Sequence, residues 1–180
     1  MTKSTTRMVR IALFTALICV GAFISVPIGP VPISFQNFFV IMAALLLPAK
    51  DAALSVLIYV LIGLAGLPVF AQFTGGIQTI FKPSFGFLIG FIIGAYVIAK
   101  FVGDSRDYKK IFLATIIGEI IFYLIGIPYM YYILAGMSKA PGTITALLQL
   151  GLIPFIPGDL LKMVVATAIA PKIKNAIQYK

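Results

Sequence analysis

With 180 residues, 61% of them hydrophobic and 11% charged, and a mean hydropathy of +1.10, the chain lies far from the roughly 45–50% apolar, 25% charged composition of soluble domains. Having no histidine, one cysteine (Cys19) and five acids (Asp51, Asp104, Asp107, Glu119 and Asp159), it excludes histidine catalysis, Cys/His zinc sites and an intrachain disulfide. A formal charge of +9 would suggest nucleic acid in a soluble protein, but here the bases read as marks of membrane topology and no nucleic-acid partner is expected.

Apolar runs between charged or proline-rich breaks predict one all-α integral membrane domain over residues 1–180, a bundle of six transmembrane helices near 11–26, 34–48, 51–67, 84–101, 110–135 and 155–174. The first follows Lys3, Arg7 and Arg10 as a signal peptide would, yet Ile24-Ser25-Val26-Pro27 is a poor cleavage site, so a retained helix is expected. Small residues at Ala12 and Ala16 allow another helix to approach closely, while Cys19 reads as a small apolar filler. The second helix opens on Gln36 and Asn37 and has a short apolar core, which fits a buried or tilted segment. Those two amides could read an amide or urea group, or simply cap the helix.

Between the third and fourth helices, residues 68–83 are too apolar for a solvated linker and should fold onto or into the bundle. Such a stretch is either a greasy loop packed on helix ends or a lid or binding loop, with Gly75 and Gly76 allowing close backbone approach to a ligand. The fourth helix carries Gly86, Gly90 and Gly94 at spacing four, for which packing within the chain is the simpler expectation. On the fifth, Glu119 and Tyr123 are spaced i, i+4 and share a face. The last helix holds Asp159 in its first turn, favoured by the helix dipole, and Lys162 three residues on, where the dipole disfavours it. Each buried charge would cost at least ~2.5–3.5 kcal/mol at the centre of a lone helix, so Glu119, Asp159 and Lys162 are functional candidates by default. Lys162 needs an anionic partner: Asp159, Glu119 or a ligand.

Six helices place both ends on one side, and that side collects Lys3, Arg7, Arg10, Lys50, Lys100, Arg106, Lys109, Lys110, Lys172, Lys174 and Lys180. These eleven of fourteen bases make it cytoplasmic by the positive-inside rule. Nine of eleven prolines then fall in or near the outer half, where irregular backbone must be buried in protein or line a cavity, so a site is expected there. There is no G-x-x-x-x-G-K-[ST] loop, so ATP hydrolysis would have to come from a partner.

Several segments together resemble the biotin-specific substrate-binding component of energy-coupling factor transporters, the BioY family. They are Val31-Pro32-Ile33-Ser34-Phe35-Gln36, Gly66-Leu67-Pro68-Val69-Phe70-Ala71 leading to Gly75-Gly76, Phe85-Gly86-Phe87-Leu88-Ile89-Gly90-Phe91 and, most specific, Pro154-Phe155-Ile156-Pro157-Gly158-Asp159-Leu160-Leu161-Lys162. The stretch Lys82-Pro83-Ser84-Phe85-Gly86 departs from the family's G-P-T-G-G-like pattern, so no contact is carried over to Ser84 or Phe85. The resemblance implies a multi-pass protein of the prokaryotic plasma membrane that captures biotin near the outer face. It also implies partners, a transmembrane coupling protein facing the Ala12/Ala16 helix and two ATP-hydrolysing subunits, with no catalytic activity and no cofactor of its own. Lys162 then suits the biotin carboxylate, with Asp159 beside it, while Gln36, Asn37, Glu119, Tyr123 and the Gly75-Gly76 loop suit the ring, an assignment that could be reversed. A component for another vitamin and an autonomous ion-coupled carrier dependent on Glu119 are the competing expectations.

Overall fold

The structure, a computed structural model, describes residues 2–176. Lys180, counted above among the bases of one side, lies outside them, as does the side chain of Lys3. The described residues form α1 (Lys3–Phe23), a two-stranded hairpin of β1 (Ser25–Val26) and β2 (Ile33–Ser34), α2 (Gln36–Leu46), α3 (Ala49–Leu64), two 3-10 turns (Ala71–Phe73 and Ile77–Phe81), α4 (Phe85–Val102), α5 (Tyr108–Gly136), α6 (Ile144–Gly151) and α7 (Ile156–Ala176).

A helix lies at each of the six expected positions, with ends moved by local chemistry. α1 starts earlier because Thr2 caps it, accepting from the Thr5 N–H at 3.3 Å, and Lys3, Arg7 and Arg10 are good helix formers that do not break it. It ends at Phe23, where the chain turns into the hairpin that pairs Ser25 with Ser34. Asp107 caps α5 through the Lys109 N–H, and α5 then runs unbroken through Pro128. A seventh helix, α6, was not expected; Thr143 caps it through the Ala146 N–H, and it meets α7 at a bend of 47°. By length and composition α1, α4 and α5 can each cross a membrane, and the bent α6–α7 pair can make a fourth span. The 11-residue α2 and 16-residue α3 are shorter.

α2 is the centre of the bundle. Nine of its eleven residues are buried, apolar all round as a core helix must be. The glycines of α4 pack within the chain, as expected: a Cβ on Gly90 would stand 3.1 Å from the Phe122 Cα of α5, and one on Gly94 or Gly86 would overlap the Phe122 or Tyr129 side chain. Two bases read only as topology marks tie helix ends together. Arg7 clasps buried Asp51 at the start of α3 with 2.6–2.9 Å bonds, and Lys174 of α7 donates to the Gly103 and Ser105 carbonyls that end α4, where a cation complements the helix dipole.

Residues 68–83 fold onto the opposite end of the bundle, held by three anchors. The Phe70 ring fills the space over Gly63 and meets Tyr59 edge-on at 5.4 Å; the Gly76 N–H donates to the Gly63 carbonyl at 2.7 Å; and the Tyr129 hydroxyl donates to the Ile80 carbonyl. Gly76 has φ +91°, which favours glycine. A Cβ on Gly75 would overlap the Leu67 carbonyl and lie 3.2 Å from that of Gly63. Gly75→Ala is therefore expected to lower stability by ~1–3 kcal/mol, as overpacking against backbone does. Gly158→Ala, with open space around its Cβ, should be neutral in the same thermal unfolding assay; equal behaviour of the two would refute this account of the loop.

Candidate functional site

A cavity of about 290 Å³ lies beneath this loop and the hairpin, at the low end of small-ligand pockets. The hairpin turn (Pro30, Pro32) and loop residues Gln72, Thr79 and Lys82 cover it, and Phe85, Phe87 and Phe91 of α4 with Phe122 of α5 form an aromatic wall. Its floor is polar: Gln36 and Asn37 from the first turn of α2, Glu119 and Tyr123 from α5, and Asp159 and Lys162 from α7. Gln36, Asn37, Glu119, Asp159 and Lys162 are only 4–8% exposed, so bonds among them are shielded from water.

Asn37 is the hub of that floor. Its Nδ2 donates to Asp159 Oδ1 at 2.7 Å and to Glu119 Oε1 at 3.2 Å, while its Oδ1 accepts from Lys162 Nζ at 2.8 Å. Lys162 gives its other protons to the Ser34 carbonyl at 2.7 Å and to Asp159 Oδ1 at 3.1 Å, so all three of its donors are used. Asp159 Oδ2 accepts from the Tyr123 hydroxyl. The N-terminal end of α7, disfavoured for an ammonium by the dipole, holds Lys162 in its second turn because three acceptors surround it. Gln36 stands apart: its buried Nε2 has no partner among the described residues and it lines the cavity. An aromatic slot over one unpaired donor and a charged, exchangeable set of bonds can hold a small polar molecule by stacking and hydrogen bonding.

Six of the eight residues expected at a substrate site thus converge on one cavity, and Gly75 and Gly76 do not line it; their missing side chains serve the packing of the loop on Leu67 and Gly63. Sequence reasoning missed the Ser34 carbonyl, although Ser34 lies in one of the quoted segments, and the aromatic wall, whose phenylalanines look like any lipid-facing residues. Ser84 and Phe85, left unassigned, also line the cavity. Behind it, Glu119, Tyr123 and Asp159 also bound an apolar groove between α5 and α7, so these side chains form a thin partition. Ala12 and Ala16 are exposed on α1, on a face shared with Met8 and Val20.

The family model described as BioY family matches residues 1–179. The chain is 39% identical over 169 residues to the biotin transporter BioY of Thermotoga maritima, covering 94% of this chain and 96% of that protein. It is 41% identical over 165 residues to the probable biotin transporter BioY of Pyrococcus horikoshii, covering 92% and 94%. Its fold is similar, at a TM-score of 0.74 and 29% identity over 97% of this chain and 95% of the other, to a crystal structure of the S-component for biotin from an ECF-type ABC transporter.

Proposed function

The chain belongs to the BioY family, and we propose that it is a biotin-capture subunit of an energy-coupling factor transporter that binds biotin in the cavity between α2, α4, α5 and α7. It is a multi-pass protein of the prokaryotic cell membrane and a transport component, not an enzyme. The observation that carries the reading is the floor of the cavity, where a lysine and a hub amide are shared with two carboxylates under an aromatic wall. Biotin offers a carboxylate at one end and a urea at the other. Lys162 suits the first, and the free Gln36 Nε2 suits the urea carbonyl. Asn37 and Asp159 hold the Lys162 ammonium, and Glu119 and Tyr123 brace those two or meet the same ligand. Gly75 and Gly76 act through the loop covering the cavity.

Six spans with both termini cytoplasmic complete the reading, supported by the one-sided basic residues. α2 and α3 then cross as short, buried or tilted segments. A transmembrane coupling protein and two ATP-hydrolysing subunits supply the energy, and the exposed Ala12/Ala16 face of α1 meets the coupling protein. No cofactor is needed for capture.

Calorimetric titration of biotin into the purified, detergent-solubilised chain tests the proposal. One-site binding that thiamine and riboflavin do not displace is expected, and a folded sample giving no heat would overturn it. Gln36→Leu run beside it should weaken binding about tenfold, equivalent to the ~1.4 kcal/mol of one good hydrogen bond. Because Nε2 has no protein partner, the thermal unfolding temperature should not fall. Sustained gradient-driven uptake by the chain alone in liposomes would favour an ion-coupled carrier instead.

A further inference from the structure

The loop that covers the cavity turns three large apolar side chains away from it: Phe73, Ile77 and Phe81 are 65%, 64% and 67% exposed. Their backbone is fixed by the anchors at Phe70, Gly76 and Ile80, so their exposure is a property of the fold. Gln72 and Phe73 are consecutive left-handed residues, with φ +61° and +55°, a conformation non-glycine residues rarely adopt. Gln72 lines the cavity, whereas the exposed Phe73 ring is stacked on Phe23 at 4.7 Å and 19°.

That stack fixes the level of the loop. Phe23 is the last residue of α1, a helix that can cross a membrane by length and composition, and it lies at the end away from Lys3, Arg7 and Arg10, whose charges belong at the other surface. A loop packed on that end lies at the boundary between acyl chains and head groups, where apolar side chains can enter the acyl region while lysines reach for phosphates. Lys82, exposed and adjacent to Phe81, supplies such a lysine.

We propose that Phe73, Ile77 and Phe81 are inserted into the bilayer interface at the end of the bundle opposite the termini, so that the loop covering the cavity is a membrane-seated element with a lipid surface as its partner. The proposal uses the membrane setting and the loop's position, and it stands whatever small molecule the cavity takes.

The chain has no tryptophan but eight tyrosines, so Phe81→Trp and Ile77→Trp each create a single tryptophan, excited at the red edge where tyrosine does not absorb, with Lys139→Trp as an exposed reference on another loop. Each is reconstituted in phosphatidylcholine vesicles carrying bromine either near the head-group end of the acyl chains or near their tips. The loop reporters are expected to lose emission about twofold or more to the shallow bromine, and less to the deep one. Acrylamide in the water should quench them several-fold less than Lys139→Trp. Acrylamide quenching equal to the reference, with no effect of brominated lipid, would overturn the proposal. Shielding from both quenchers that disappears on dilution into excess lipid would overturn it in favour of a second copy of the chain on this surface. If one reporter fails to fold, the other gives the same reading.

Discussion

Lys162→Ala should be among the most damaging single substitutions in this chain. It removes the donor shared by the Ser34 carbonyl, Asn37 Oδ1 and Asp159 Oδ1, and leaves a buried carboxylate without its ion-pair partner, a loss of ~3–5 kcal/mol. Thermal unfolding in detergent should report it directly. Biotin affinity should fall by a factor of ten or more, each factor of ten being ~1.4 kcal/mol. Stability and recognition are separable with Asp159→Asn/Lys162→Met, which removes both charges while keeping comparable bulk. That double variant should recover most of the lost stability, since exchanging a whole buried pair for uncharged groups is close to neutral, yet should still bind weakly. If it bound biotin as the parent does, Lys162 would be a purely structural group.

Asn37→Asp is expected to be at least as severe, although it changes few atoms. The amide nitrogen donates to two carboxylates, and an aspartate would replace those donors with a third acceptor beside Glu119 and Asp159. Two buried bonds are lost, the one to the ion-paired Asp159 worth ~1.5–3 kcal/mol, and like-charge repulsion with Asp159 is added. Asn37→Leu loses those two bonds and also the one that Oδ1 accepts from Lys162, which an aspartate keeps, but it adds no repulsion and should be the milder of the two. An unfolding temperature for Asn37→Asp at or above that of Asn37→Leu would show that the amide does not hold the two carboxylates together.

How much of this was legible before the fold was seen depended on the distance along the chain. The Asp159–Lys162 pair could be read from its spacing, because residues three apart on a helix are neighbours whatever surrounds them. Asn37 could be singled out as polar, but its role as hub could not, since its carboxylate partners lie 82 and 122 residues away and only the packing of α2, α5 and α7 brings them together. Arg7 and Lys174 were read for their charge alone, and their partners Asp51, Gly103 and Ser105 depend in the same way on which helix ends meet. α6 escaped because eight residues between Pro141 and Pro154 are shorter than the run that periodicity needs. At Gly75 and Gly76, a missing side chain suits close approach by a ligand as well as by the chain's own backbone, and sequence does not separate the two. Of the nine prolines expected on one side of the membrane, Pro30, Pro32 and Pro83 line the cavity.

The saturated state of Lys162 has a bearing on how a capture subunit is emptied. Its ammonium has three acceptors from the protein, so under the proposed reading a ligand carboxylate would enter as a competitor that takes over one of those places. Binding strength is then the difference between two sets of charge-assisted bonds, and departure strands no naked cation, because the displaced acceptor closes behind the leaving cargo. A subunit whose task is to pass its cargo onward would gain from that reciprocity: Lys162 has a full set of acceptors within the protein, and release would need only enough work to tip an exchange.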